Sequence, residues 1–230
     1  MTNTRSVGVA SAPPKVGRLI SITTGGPAQN MAMDQALLES VSHSGIPVLR
    51  FYQWSLPTLS LGYFQRVETR ADHAESGGIS CIRRATGGGA IVHDRELTYS
   101  IVIPVSAGQA GQRPGLYRQI HSAIAASLTC LGVSSMPYRL TVPESYRATD
   151  SAHFLCFQRR TAEDLIVSGY KILGSAQRKT RTAVLQHGSL LLQASGHAPQ
   201  LPGISDLLSK PLVAEEIAAL IVENLTVYLG

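Results

Sequence analysis

Residues 79–100 read ISCIRRATGGGAIVHDRELTYS, two strand-like apolar runs separated by three consecutive glycines. Glycine weakens a strand interior, so three together have a local reason. One reason is close approach of bare backbone to a ligand, and the other is a tight bend in a curved sheet. The run is not a Walker loop, because no Gly-Lys-Ser/Thr follows, and not a dinucleotide fingerprint, because no helical period follows. The glycines alone leave the ligand site and the bend equally open.

Strand-like runs lie on both sides of this glycine stretch. They cover residues 16–22, 48–54, 58–61, 79–84, 90–93, 97–103 and 182–193. Residues 164–177 predict a β-hairpin that turns at residues 168–169. Helices are predicted from Pro27, along the apolar stripe that ends at Gly132, and beyond Pro202. Because strands and helices do not alternate, this order predicts an α+β protein with a mixed, mostly antiparallel sheet.

Some side chains and connections can be assigned from the same pattern. Residues 108–115 and 134–151 show no period and are predicted to be loops. The first helix is expected to face the core with Met33, Leu37, Leu38 and Val41.

The composition is that of a globular protein with a sizeable core. The chain has 230 residues, of which 44% are hydrophobic and 15% charged, and this excludes global disorder. The length predicts one domain over residues 15–230. Residues 1–14 resemble neither a signal peptide nor a transit peptide and are predicted to be a flexible leader. No apolar run approaches the ~18 residues of a membrane-spanning helix, so we expect no membrane partner.

Cysteine usage and charge narrow the compartment and the partners. Three cysteines without a C-x-x-C pair predict a reducing compartment, the cytoplasm. The net charge of +5 comes mostly from arginines that are spread along the chain, which gives no indication of nucleic-acid binding. A diffuse positive field suits an acidic protein partner, although solubility explains it equally well. No His/Cys/Asp/Glu spacing resembles a metal site, so no metal is predicted.

Four further segments accompany the glycine stretch, which reads R-R-x-T-G-G-G-A-x-x-H-D over residues 83–94. They are NMAMDQALLESV (30–41), RFYQWSLPTLSLGYFQ (50–65), GYKILGSAQRK (169–179) and LQHGSLLL (185–192). In this order they resemble the superfamily of lipoate–protein ligases, octanoyltransferases and biotin protein ligases. The resemblance implies the catalytic-domain fold of that superfamily, in which helices flank mixed, mostly antiparallel sheets.

The superfamily attaches octanoyl or lipoyl groups to a lysine of a lipoyl domain by two chemistries. Ligases activate the free acid with ATP, whereas transferases take octanoyl from acyl carrier protein, in one branch through a cysteine thioester. HFLCFQ at residues 153–158 resembles that cysteine-dependent branch and places Cys156 ahead of the lysine-bearing segment. The resemblance therefore implies an octanoyltransferase of lipoate biosynthesis that carries the acyl group on Cys156.

Cys156 and Lys171 are the candidate catalytic pair. A thiolate accepts an acyl group and releases it to an amine, because a thioester remains reactive toward amines. By the resemblance, Lys171 approaches Cys156 and shuttles its proton. By residue type alone, a lone cysteine is more often a small buried apolar residue, and this interpretation is kept for Cys81 and Cys130.

The substrate-binding candidates are small or polar residues of the motif segments. They are Arg83, Thr86, Gly87, Gly88, Gly89, His93, Gly174, Ser175, Ala176, His187 and Gly188. Small residues leave room for a narrow apolar tunnel, in which each buried CH₂ of an octanoyl chain contributes roughly 0.8 kcal/mol.

Three alternatives to the transferase remain open. Gly89 makes the motif G-G-G-A, as in ligases, where many such transferases have G-G-R-A. The alternatives are an ATP-dependent lipoate or octanoate ligase, an amidotransferase between lipoyl domains, and an inactive carrier-protein binder. The transferase implies acyl carrier protein as donor. The expected acceptors are lipoyl-domain proteins such as the glycine cleavage H protein or a 2-oxoacid dehydrogenase E2 subunit. No cofactor is expected, since ATP and Mg belong to the ligase alone.

Overall fold

The computed structural model describes residues 16–106, 114–142 and 153–229. The predicted leader and residues 108–113 and 143–151 of the two predicted loops lie outside these ranges.

The described chain contains ten β-strands and four α-helices. In chain order they are β1 (Arg18–Gly25), α1 (Pro27–Ser44), β2 (Val48–Trp54), β3 (Thr58–Leu61), β4 (Ser80–Arg83), β5 (Ile91–His93), β6 (Glu96–Pro104), α2 (Pro114–Cys130), β7 (Met136–Pro137), β8 (Leu165–Val167), β9 (Tyr170–Lys179), β10 (Ala183–Leu191), α3 (Ile204–Leu208) and α4 (Ala214–Leu225). Short 3₁₀ helices cover Val67–Asp72, Ala74–Ser76, Tyr138–Leu140, Cys156–Gln158 and Thr226–Tyr228.

The described strands form two sheets. The larger has seven strands in the order β1-β2-β6-β10-β9-β8-β7, and the smaller has three in the order β4-β3-β5. The β1–β2 and β3–β4 pairs are parallel, and the remaining pairs of these sheets are antiparallel. The predicted α+β architecture with mixed, mostly antiparallel sheets is therefore confirmed.

Helices cover both faces of the large sheet. Helices α2 and α4 pack on one face, where Ile120 and Ile221 join Tyr99 and Ile101 in the main core. Helix α1 covers the other face with the cluster Leu37, Leu38, Val41, Val48, Val102, Ala183 and Leu185. Successive side chains of a strand point to opposite faces. Strand β6 therefore directs Tyr99 to the main core and its polar residues Thr98 and Ser100 to the α1 side, where the site lies.

Helix α1 begins at Pro27 and is followed by Gly45, whose φ of 66° ends it in the left-handed region. Leu37, Leu38 and Val41 are buried as predicted, but the prediction for Met33 is wrong, since its side chain is 40% exposed. The buried positions of the first turns belong to Asn30 and Asp34 instead. Polar residues occupy this stripe because it faces polar groups of the site.

The β8–β9 hairpin confirms the predicted turn. Ser168 and Gly169 have φ of 48° and 84°, the pair of positive values that a type I′ turn requires. The loop predicted over residues 134–151 is wrong for its first part, because strand β7 pairs Met136 with Ile166 and a 3₁₀ helix follows at Tyr138–Leu140. That pairing is long-range and leaves no local period. Over the described residues, no helix combines the length and apolar character that crossing a membrane requires.

Candidate active site

Cys156 begins a 3₁₀ helix that is tied to the glycine stretch. Its backbone N–H donates to the Ala90 carbonyl at 2.7 Å, and the Ala90 N–H donates to the Phe154 carbonyl at 3.0 Å. A Cβ at Gly89 would lie 3.0 Å from both Cys156 N and Phe154 O, which is tighter than ordinary contact. The missing side chain of Gly89 therefore lets residues 153–160, here called the cysteine segment, approach the glycine stretch.

Lys171, the second residue of β9, reaches the cysteine from the large sheet. Its Nζ lies 3.9 Å from Cys156 Sγ and donates to the carbonyls of Cys156 (3.2 Å) and Arg159 (3.3 Å). The same Nζ forms an ion pair with Asp164 Oδ2 at 2.8 Å. A Cβ at Gly174 would lie 2.5 Å from Lys171 Cε and 2.8 Å from Nζ. The absence of that atom leaves the space that the lysine occupies beside the thiol.

A narrow pocket opens beside the Cys156 thiol. It holds about 440 Å³ of empty space, its open mouth included. Its walls come from α1, β2, the glycine stretch, β5, β6, the cysteine segment, β9 and β10. The lining residues are Met31, Tyr52, Arg84, Gly87, Gly88, Ile91, His93, Thr98, Cys156, Gly174, Ser175, Ala176, His187, Gly188 and Ser189. Glycines and short side chains dominate this list, so backbone forms much of the wall.

Most of the residues proposed from the sequence meet at this pocket. Those that line it are Cys156, Gly87, Gly88, His93, Gly174, Ser175, Ala176, His187 and Gly188. Thr86, Gly89 and Lys171 contact lining residues from behind. Arg83 is not among the lining residues, because its exposed side chain donates to the carbonyls of Gly62 and Tyr63 at 3.0 Å.

Arg84, the neighbour of Arg83, is the arginine that reaches the pocket. Its Nη2 donates to the carbonyls of Gly87 (2.8 Å) and Gly89 (2.7 Å), and its Nη1 donates to the Ser60 carbonyl at 3.0 Å. Gly88, between these carbonyls, has a φ of 98°, which side-chain-bearing residues rarely adopt. Burial lowers the pKa of the Arg84 guanidinium, and the nearby Cys156 opposes this shift. Arg84 therefore shapes the glycine stretch and places a positive charge near the thiol.

A buried carboxylate anchors the opposite wall of the pocket. His187 Nδ1 lies 3.0 Å from Asp34 Oδ2, and its Nε2 lies 2.7 Å from Thr86 Oγ1. Asp34 also pairs with Arg50 at 2.9 Å. Burial raises the pKa of Asp34, but the hydrogen bond and charge of His187, together with Arg50, outweigh burial and bring that pKa below its usual value. The ionised Asp34 thus fixes the His187 ring and, through it, the threonine of the glycine stretch.

The His93 side chain is also fixed by its contacts, as His187 is. Its Nδ1 lies 2.7 Å from Glu96 Oε1, and its Nε2 lies 2.8 Å from Ser60 Oγ. The ring stacks on Trp54 with a centroid distance of 4.0 Å. Both ring nitrogens are therefore engaged, and His93 serves the pocket as part of its wall.

Ser175 connects the pocket to helix α2. Its Oγ lies 2.7 Å from both Tyr99 Oη and His121 Nε2, and its backbone N–H donates to Tyr117 Oη at 2.9 Å. Burial lowers the pKa of His121 to about 4, so the ring is neutral at pH 7. Its Nδ1 lies 2.7 Å from the Glu163 carbonyl, which requires a proton on Nδ1 and leaves Nε2 to accept from Ser175. The serine hydroxyl is thus committed to this network.

Several residues of the site escaped the sequence analysis. They are Asp34, Tyr117, His121 and Asp164. The available signal was a charged residue inside an apolar run, as in MDQALL for Asp34 and EDLIV for Asp164, because a charge there is buried only with a partner. All three cysteines are free, and Cys130 is exposed, contrary to its expected burial.

Comparison with known sequences agrees with the motif resemblance. Residues 26–218 match the family of lipoyl protein ligase A/B catalytic domains. The octanoyltransferase LipM of Macrococcus caseolyticus is 40% identical over 172 residues, which cover 72% of this chain and 62% of that protein. The octanoyltransferase LipM of Moorella thermoacetica is 38% identical over 191 residues, 80% of this chain and 68% of that protein. The chain thus spans about three fifths to two thirds of the length of these relatives.

Solved structures share the fold. A T. acidophilum protein with bound lipoic acid superposes with a TM-score of 0.72 at 24% identity, over 93% of this chain and 86% of that chain. The bi-partite lipoate protein ligase of Thermoplasma acidophilum, studied with its E2 lipoyl domain, gives 0.69 at 22% identity, over 94% and 84%. The architecture and the matched sequence together show that this chain belongs to the lipoyl protein ligase A/B catalytic domain family.

Proposed function

We propose that this protein is an octanoyltransferase that moves octanoyl from octanoyl-acyl carrier protein to a lysine of a lipoyl domain through a thioester on Cys156. The observation that carries the proposal is the 3.9 Å approach of Lys171 Nζ to Cys156 Sγ at the wall of a pocket. The names of the relatives that are about 40% identical support the same activity.

The first half-reaction loads the enzyme. With the proton of the Cys156 thiol on Lys171, the thiolate attacks the carbonyl carbon of the donor thioester. The tetrahedral intermediate collapses with cleavage of the bond to the carrier sulfur. Lys171 returns its proton to that sulfur, so the carrier leaves as a thiol and Cys156 holds the octanoyl group.

The second half-reaction transfers the octanoyl group from Cys156 to the acceptor. The neutral ε-amine of the acceptor lysine attacks the Cys156 thioester, and Lys171, now an amine, accepts the proton that the nitrogen loses as the amide forms. Cys156 leaves as a thiolate beside the Lys171 ammonium. One thioester is consumed and one amide formed, with no net change in the enzyme and no requirement for ATP.

The pocket walls suit an unbranched acyl chain. Gly87, Gly88, Gly174, Ala176 and Gly188 present backbone or a single methyl group beside the thiol. A chain of eight carbons that enters between them gains roughly 0.8 kcal/mol for each CH₂ that it buries. The acyl group supplies binding free energy in this way without charged contacts.

Gly89, which favours the ligase from sequence alone, has another explanation in this fold. Its missing side chain makes room for Cys156 N and Phe154 O, each 3.0 Å from the position of a Cβ. A larger residue would press on the segment that carries the thiol. In this chain the third glycine is thus explained by its packing against the segment that carries Cys156, without reference to a nucleotide.

The donor, the acceptor and the compartment belong to the same proposal. The positive net charge of +5 favours encounter with an acidic carrier domain. Acyl carrier protein is the proposed donor, and the lipoyl domain of a glycine cleavage H protein or an E2 subunit is the proposed acceptor. We place the reaction in the cytoplasm, where a thiol nucleophile stays reduced.

Intact mass spectrometry tests the proposal. The protein mixed with octanoyl-acyl carrier protein should gain one octanoyl group that hydroxylamine removes, and the loaded protein should octanoylate a lipoyl domain. Cys156→Ala should abolish both reactions, because it removes the acyl-carrying sulfur. Cys81→Ala and Cys130→Ala are matched controls that should retain them.

Other outcomes identify the alternatives. AMP release from ATP and octanoate, without an adduct and without dependence on Cys156, would replace the transferase by a ligase. Loading from an octanoylated lipoyl domain but not from acyl carrier protein would indicate an amidotransferase. Carrier binding without any adduct would indicate an inactive binder.

A further inference from the structure

Asp164 faces the catalytic lysine from the chain segment that precedes β8. Its Oδ2 lies 2.8 Å from Lys171 Nζ, and the two side chains are only 1% and 2% exposed. A buried charge is costly unless a partner of opposite charge meets it with good geometry. Each member of this pair therefore requires the other to be ionised.

The carboxylate is held in place independently of the lysine. The Thr161 backbone N–H donates to Oδ2 at 2.6 Å, and the Tyr117 hydroxyl shares its proton between Oδ1 at 3.2 Å and the Ser175 carbonyl at 3.1 Å. Both oxygens of Asp164 thus have a partner outside the ion pair. A residue fixed in this way can orient a flexible neighbour.

The contacts of Lys171 Nζ indicate how many protons this nitrogen carries. Nζ lies within 3.3 Å of three oxygens, those of Asp164, the Cys156 carbonyl and the Arg159 carbonyl. An ammonium has three N–H donors, whereas a neutral amine has two and would leave one of these oxygens without a donor. Cys156 Sγ lies beyond them at 3.9 Å. The resting site is arranged for a charged lysine beside the sulfur.

Other charged or titratable groups surround the pair. Arg84 approaches Cys156 from the glycine stretch, and Arg159 lies on the cysteine segment itself. Tyr117 and His121 face Asp164 from α2, and burial keeps both of them neutral near pH 7. Asp164 is therefore the anion paired with Lys171 among the described residues.

We infer that Asp164 is a positioning residue that holds Lys171 as an ammonium against Cys156, so that the resting pair is thiolate and ammonium rather than thiol and amine. The site then works as a Cys156–Lys171–Asp164 triad in which the carboxylate never touches substrate. The role of the triad in acyl transfer rests on the proposed function. The charge state of the resting pair does not, and it is measured without an acyl substrate.

The test is the alkylation rate of Cys156 with iodoacetamide between about pH 5 and pH 9, followed peptide by peptide by mass spectrometry. Asp164→Asn should slow alkylation at pH 7 by about tenfold, because the carboxylate no longer holds Lys171, the counterion of the thiolate, as a fixed ammonium. Exposed Cys130 is the reference within the same molecule and should change by less than about twofold. Asp164→Glu should recover part of the rate. An unchanged rate and pH profile in Asp164→Asn overturns the inference.

A double-mutant cycle separates positioning from general damage. In a Lys171→Met background, the added Asp164→Asn change should alter Cys156 alkylation by less than about twofold, because its effect passes through the lysine. An undiminished effect in that background contradicts the inference. If Asp164→Asn does not fold, the ¹⁵N signal of Lys171 Nζ in the unmutated protein decides. An ammonium at pH 7 supports the inference, and a neutral amine overturns it. A failed acyl-transfer assay with normal alkylation behaviour would count against the proposed function alone.

Discussion

Gly174 shows how a single missing side chain sets the geometry of the candidate site. The Lys171 side chain passes through the space where a Cβ of residue 174 would stand, with Cε and Nζ within 2.8 Å of it. Asp164 Oδ1 lies 3.6 Å from the same point. Any larger residue must push the lysine away from either the sulfur or the carboxylate.

Gly174→Ala is expected to lower the rate of acyl transfer by about 100-fold, because a shift of about 1 Å in a catalytic group has that order of effect. The loading rate from octanoyl-acyl carrier protein, measured by intact mass, checks this. Gly78→Ala is the matched control, since a Cβ there has no atom within 4 Å. Equal rates in the two variants would show that the lysine position tolerates the methyl group.

Site residues could be predicted from the sequence where they belong to a recognised motif, but the residues that they contact could not. Cys156 and Lys171 were recognised in separate motifs, and the structure brings them together. Arg83 and Arg84 are neighbours in the same doublet, yet one is exposed and the other is buried. Which of two adjacent side chains faces inward depends on how β4 pairs with β3, and the letters R-R do not contain that pairing.

The β8–β9 hairpin delivers Lys171 and depends on its two-residue turn. Ser168 and Gly169 both have positive φ, and a Cβ at Gly169 would have no atom within 4 Å. The fit of residue 169 is therefore a matter of backbone conformation alone. The turn fixes the register that pairs Lys171 with Ile166.

Gly169→Ala is expected to lower the free energy of unfolding by about 1–2 kcal/mol, the cost of a left-handed conformation in a residue with a Cβ. Ser168→Asn should not destabilise the protein, because asparagine tolerates this region better than serine does. Urea denaturation of the three proteins measures both effects. A loss in Ser168→Asn equal to that in Gly169→Ala would contradict the assigned turn.

Helix α2 should make stability depend on pH through His121. Burial lowers the pKa of His121 to about 4 in the folded protein, whereas the unfolded chain titrates near the usual ~6.5. Between these values the unfolded state binds the additional proton, so the free energy of unfolding falls as the pH falls. We expect a loss of about 2 kcal/mol between pH 7 and pH 5.

The control for this effect is His121→Gln, which cannot titrate in that range. Its free energy of unfolding should vary between pH 7 and pH 5 by about 2 kcal/mol less than that of the unmutated protein. Urea titrations at the two pH values give both numbers. The same pH dependence in both proteins would mean that another group titrates.

Strands, helices and turns could be predicted where the pattern of apolar and turn residues lies within the element itself. The strands Val48–Trp54 and Thr58–Leu61 and the turn at residues 168–169 coincide with the prediction. Strand β7 was not predictable, since two residues have no period and pair with β8 across a long sequence separation. Met33 shows the same limit in a helix, because the site replaces apolar residues of the buried stripe by Asn30 and Asp34.

At the scale of the whole molecule, charge is the property that acts at a distance. The net charge of +5 produces a field that accelerates encounter with an acidic carrier domain at low salt. Salt screens this attraction with a Debye length of about 10 Å at 0.1 M. The field does not act on the chemical step inside the pocket.

Raising the ionic strength from about 0.05 M to about 0.3 M should therefore lower kcat/KM for octanoyl-acyl carrier protein by about threefold or more. The same change should leave kcat/KM for an octanoyl thioester of a small neutral thiol nearly constant. Steady-state kinetics with both donors checks the prediction. Equal salt dependence for the two donors would assign the effect to the enzyme itself rather than to carrier docking.

Each of the five motifs could be recognised from its own residues. How the motifs contact one another is a property of the folded chain. The glycine stretch meets the cysteine segment through Ala90 and Leu155, which form an isolated bridge. It meets β10 through Thr86 and His187. These contacts join positions that are more than sixty residues apart. No local pattern predicts these contacts. The fold could be predicted because all five motifs together resemble those of a known superfamily.

The bridge between Ala90 and Leu155 joins two separate parts of the chain at the site, the glycine stretch and the segment that carries Cys156. The proposed nucleophile, Cys156, lies on a short connecting segment, while its proposed partner Lys171 lies on strand β9 of the large sheet. A peptide graft across residues 153–160 would therefore transplant a different attacking atom, such as a selenol, onto an unaltered scaffold. For protein engineering, such a replacement changes no residue of the ten named strands.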